Sequence, residues 1–127
     1  MNEMRYLAAD GVWLLPAPEG LDCEILVAGD RSCPDPVRLA LVRNATTTIE
    51  HLQSQARSYL ESFIDRTKVV AGGEWHLEGL KSEPGNETTE QCSLYFSLEN
   101  DLYGEWSVTF EVAAERYYPV AFSRRQV

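Results

Sequence analysis

His76 and Glu78 stand two residues apart in Trp75-His76-Leu77-Glu78, where apolar and polar side chains alternate. On a strand this spacing puts both polar groups on one face. A histidine beside a carboxylate can take and return a proton, so the pair is the chain's candidate general base. The same spacing is ordinary on the wet side of any sheet. No G-x-S-x-G, H-E-x-x-H, Walker loop or G-x-G-x-x-G accompanies it, so no catalytic residue is named beyond this pair. His51 and His76 have no second ligand at zinc-site spacing, and neither a metal nor a cofactor is expected. Three cysteines cannot all pair within the chain, and none forms C-x-x-C, which points to a reducing compartment. Cys23 and Cys92 fall at core-facing positions of predicted strands, whereas Cys33 sits in a loop as the reactive thiol.

Charge points toward recognition rather than catalysis. Twenty acids against eleven bases give a net charge of −9. Nucleic acid is not expected as a partner, because its affinity comes mainly from Lys and Arg. Residues 74–115 hold ten of the acids and only one base, Lys81, so this stretch carries the whole imbalance. Such a stretch is either a solubilising surface or a docking face for a basic protein. Tyr95 falls on the same strand side as Glu105, Ser107 and Glu111, while Asp101 and Tyr103 are placed in a hairpin loop. Rigid tyrosines among acids suit protein recognition, and these five residues (Tyr95, Asp101, Tyr103, Glu105 and Glu111) are the candidate partner-binding set. Arg124 and Arg125 read as a solvated tail.

The elements that must position these groups follow from periodicity. Met4–Ala8 and Val12–Leu15 flank Asp10-Gly11, which favours a hairpin turn with positive φ. Cys23, Ile25 and Val27 share one face of a third strand. From Pro36 to about residue 66 the spacing is helical, with Ile49, Leu52, Ala56, Tyr59, Leu60, Phe63 and Ile64 on one stripe. Asp35-Pro36 suits a helix start, and Thr47 with Glu50 fits a capping box. Three β-branched residues at 46–48 predict a bend or break there, although Val37–Val42 would also suit a strand. Beyond Gly72-Gly73 the period falls to two. Cys92, Leu94, Phe96 and Leu98 alternate with polar residues, and Trp106, Val108, Phe110 and Val112 do the same. Tyr117–Phe122 makes a last strand, with Pro119 marking an edge. The expectation is one α+β domain over 1–127. Its antiparallel strands number six or seven, in 1–28 and 74–123, and a helical segment at about 36–66 lies on one sheet face.

The segments LENDLYGEWSVTF and RYYPVAFSRRQ, in a small acidic chain, look like those of small uncharacterised bacterial proteins, including immunity proteins of polymorphic-toxin systems. Nine of the eleven bases are Arg, in keeping with a GC-rich bacterial genome. The resemblance implies a cytoplasmic inhibitor that blocks a basic toxin, and it assigns no residue. No apolar run is long enough to cross a membrane, and the N-terminus lacks the order of a signal peptide. The leading expectation is thus a non-enzymatic protein-binding domain with a basic partner. The alternatives are a small enzyme or ligand-binding domain with a pocket between helix and sheet near His76, and a secretion-chaperone-like protein.

Overall fold

In the computed structural model, residues 4–63, 74–82, 91–113 and 116–127 are described. Seven strands form one sheet in the order of the chain: β1 (Arg5–Leu7), β2 (Val12–Leu15), β3 (Glu24–Ala28), β4 (Trp75–Ser82), β5 (Gln91–Leu98), β6 (Asp101–Ala113) and β7 (Arg116–Gln126). Helices α1 (Pro36–Thr47) and α2 (Ile49–Phe63) lie between β3 and β4 in sequence. This is the expected α+β class, with one departure from a purely antiparallel sheet. β3 and β4 pair in parallel, Ile25 beside Leu80. The helical crossover between them supplies the long connection that parallel neighbours require.

The N-terminal hairpin closes on a four-residue turn rather than on Asp10-Gly11 alone, with the Gly11 amide bonded to the Leu7 carbonyl. Gly11 takes φ 65°, the left-handed value that favours glycine. At the other end of the sheet β7 is an edge strand. Pro119 sits beside a bulge, where the register with β6 skips from Thr109–Ala121 to Phe110–Pro119. An edge and a bulge are the places where a strand tolerates a missing amide hydrogen.

The helical segment breaks where its threonines predict, but by a different device from a capping box at Thr47. The Thr46, Thr47 and Thr48 hydroxyls turn back to the carbonyls of Arg43, Asn44 and Ala45, at 2.6, 2.7 and 3.5 Å. Such back-bonding competes with the helix's own pairing and bends it. Thr48 leaves helical geometry at φ −122° and ψ 25°, and its carbonyl then accepts the first bond of α2, from the Leu52 amide. Asp35 precedes Pro36 at the start of α1, as expected.

Both helices pack on one face of the sheet. Val42, Ala45, Leu52, Ala56 and Leu60 are fully buried there against Ile25, Leu80, Leu94, Phe96, Val108 and Phe110. Cross-strand pairs Cys92–Phe110, Leu94–Val108 and Phe96–Trp106 fix the strand register as expected. Phe63 corrects the helical stripe, being 58% exposed. It lies past the end of the core and stacks on Phe122 of β7 at 5.0 Å, with Tyr59 edge-on at 4.9 Å. Ile64 and the remainder of the expected helix to 66 fall outside the described residues.

Candidate functional site

The face of the sheet opposite the helices is built by the polar halves of the alternating strands. Register lines up Glu24 of β3, Gly79 of β4, Tyr95 of β5 and Ser107 of β6 in one row. The next row runs from Leu26 through Lys81 and Ser93 to Thr109. A bulge between Leu77 and Gly79 brings Glu78 into contact with this face, where it accepts a hydrogen bond from the Ser97 hydroxyl at 2.9 Å. At the centre lies a hollow of about 150 Å³ lined by Glu24, Glu78, Glu105, Tyr95, Lys81 and Arg125. The Lys81 ammonium sits 5.7 Å from the centre of the Tyr95 ring. Carboxylates outnumber the two cations around this hollow.

The five expected partner-binding residues do not all meet here. Tyr95, Glu105 and Glu111 share the face. Glu105 accepts from Arg125 at 2.9 Å and Glu111 from the Gln91 amide at 3.3 Å. Asp101 and Tyr103 are not loop residues, because β5 turns into β6 over Glu99-Asn100 alone. Tyr103 is 59% exposed near the start of β6. Asp101 points to the other face. Its carboxylate accepts two bonds from Arg124, at 2.7 and 2.6 Å, and one from the Trp106 indole at 2.8 Å. Those donors hold its carboxyl below the usual carboxylate range, against the opposing effect of burial. Gly104 makes room for this arrangement, since a Cβ there would collide with the Asp101 carboxylate. Arg124 and Arg125 are thus members of β7 that neutralise acids of β6, not a solvated tail. Sequence periodicity had no means of finding pairs twenty and more residues apart.

His76 and Glu78 do not act on one another. The His76 Nε2 lies 3.6 Å from a Glu99 oxygen, while Glu78 is engaged with Ser97. Glu74, His76 and Glu99 each place a ligand atom within 4.8 Å of the others, all three exposed. Glu99 escaped a search by spacing because it reaches β4 only through the β4–β5 pairing, where its amide bonds the Glu74 carbonyl. The larger cavities between helix and sheet lie away from His76. One of about 530 Å³ is lined by Asn44, His51, Gln55, Arg116 and Tyr118, at the helix break beside β7. Another, of about 760 Å³, opens between α1 and the strand pair β2–β3. His76 lines neither of these two cavities.

The thiols divide by burial. Cys92 is in the core and its thiol is pushed up to about 12. Cys23 is half-buried just before β3 and is pushed up to about 11, by burial first and then by Asp22, Glu24 and Glu78. Cys33 is exposed. All three are free, and among the described residues no helix is long and apolar enough to cross a membrane. Comparison of the chain with protein-family models, curated proteins and solved structures finds no match.

Proposed function

We propose that the chain is a protein-binding domain that docks a basic partner through the helix-free face of its sheet. The observation that carries this reading is the central hollow ringed by Glu24, Glu78 and Glu105 beside Tyr95. Its volume of about 150 Å³ suits one side chain rather than a substrate. A guanidinium or ammonium arriving there meets Glu24 and Glu78, while Glu105 is shared with Arg125, the Tyr95 ring already carries Lys81, and Glu111 extends the acidic field along β6. The strands fix these groups before contact, which lowers the ordering cost of association. An immunity-type inhibitor of a basic toxin is the specific form of this reading that the resemblance of the β6 and β7 segments supports. Asp101 is not part of the docking surface, because its charge is spent on Arg124 and Trp106.

Photo-cross-linking from the strand face tests the assignment. A cross-linking phenylalanine analogue at Tyr95 is expected to trap the partner in the producing cell. The same group at exposed Ser58 of α2, on the opposite side, is expected to trap none. Equal capture from both positions contradicts the face assignment.

A further inference from the structure

We infer that the groove between α1 and the β2–β3 strands binds an amphipathic carboxylate, an apolar chain ending in a single acid group. The groove lies on the helix side of the sheet and does not depend on the docking face described above. Its volume of about 760 Å³ falls within the range of pockets that take small ligands, about 300–1,000 Å³. The floor is closed and apolar, formed by Leu15, Ile25 and Val42, which are 8%, 2% and 0% exposed. Pro16 and Pro18 form part of the wall and have no amide hydrogen to offer a polar ligand. Trp13 is fixed as a flat apolar wall, because its indole N–H is committed to the Asp30 carbonyl at 2.8 Å and its ring packs on Tyr6.

Only one charged side chain lines this cavity among the described residues, and it is a cation. Arg43 of α1 is exposed at the groove and makes no ion pair within the described structure, in a chain that has nine more acids than bases. The other polar side chain, Thr46, spends its hydroxyl on the Arg43 carbonyl at 2.6 Å. A guanidinium offers two parallel donors to a carboxylate, so Arg43 can hold one acid group bidentately at the open side of the groove. One positive fork beside an apolar trough matches one acid group and a hydrocarbon body. Sugars and nucleotides, which need many donors and acceptors, find few here.

Dodecanoate and its neutral counterpart dodecanol, each titrated calorimetrically below micelle-forming concentration into the full chain, separate the two parts of this claim. The wild type is expected to bind dodecanoate at least tenfold more tightly than dodecanol. Arg43→Gln should erase that preference and leave dodecanol binding unchanged. Ala17→Trp, which adds bulk at a half-buried position of the groove wall, should weaken both ligands at least tenfold while thermal unfolding confirms the fold. Absence of binding, equal dodecanoate affinity in wild type and Arg43→Gln, or undiminished binding by a folded Ala17→Trp variant overturns the inference. None of these results bears on partner capture at Tyr95.

Discussion

Asp101 shows how one residue's partners decide its role. Three donors converge on its carboxylate, two from Arg124 and one from Trp106, and Gly104 leaves the space they need. Its pKa in the folded chain lies below the unfolded value of about 3.9. Its contribution to stability is therefore complete above that value and is lost as pH falls through the folded-state pKa. Acid titrations of thermal stability should show a steeper fall below about pH 4 in wild type than in Asp101→Asn. Gly104→Ala should lower the melting temperature by displacing the same carboxylate. Because the two changes break one contact, their effects should not add, and full additivity in the double variant contradicts this geometry. The thiols give an independent check on burial. A maleimide should label Cys33 first, Cys23 more slowly and Cys92 only on unfolding, since protonated, buried thiols react poorly. Early labelling of Cys92 would place β5 in the wrong register.

At the scale of elements, β5, β6 and the helices behave as one packed layer pair. Phe110 is fully buried between Cys92 and Pro119 in the register, so Phe110→Ala should cost about 3–5 kcal/mol in chemical denaturation. Phe63→Ala should cost only about 1 kcal/mol, because that ring lies outside the core and loses mainly its contacts with Phe122 and Tyr59. A reversed order of the two costs refutes the layer assignment. These strands were legible in sequence because burial on one side imposes a period of two, and Leu94, Phe96, Val108 and Phe110 keep it without interruption. The break at 46–48 was legible from its threonines, although not the hydroxyl bonds that make it. Phe63 obeyed the helical period yet meets only the exposed Phe122 of the edge strand rather than the core, and periodicity does not report where the buried part of the opposing layer ends. The parallel β3–β4 pair, the approach of Glu99 to His76, and Arg124 on Asp101 arise from tertiary pairing. No local spacing encodes them.

Across the whole molecule, placing both helices on one side of the sheet separates two kinds of surface. The helix side holds the core and the apolar groove with Arg43. The opposite side gathers Glu24, Glu78 and Glu105 around Tyr95, with Glu111 farther along β6, against Lys81, Arg125 and Arg5 at the β1 end of the Lys81 row. Part of this face was readable from sequence, since Tyr95, Glu105 and Glu111 follow from strand alternation alone. Glu24 was not, because it joins through the parallel pairing of β3 with β4. Acids arranged on one rigid face steer a basic partner during its approach, so the association rate should fall steeply as salt rises. Glu24 and Glu111 are two exposed carboxylates of this face whose reversal leaves the Glu105–Arg125 pair intact. Exposed charges contribute little to folding, so the Glu24→Lys, Glu111→Lys variant should melt within a few degrees of wild type. The most direct measurement is the association rate of the cross-linked partner with wild type and with this double variant, at low and at near-physiological ionic strength. The variant is expected to associate at least tenfold more slowly at low salt, with a much weaker salt dependence. Equal rates for the two proteins, unchanged by salt, would contradict this expectation and leave the acidic face a solubilising surface.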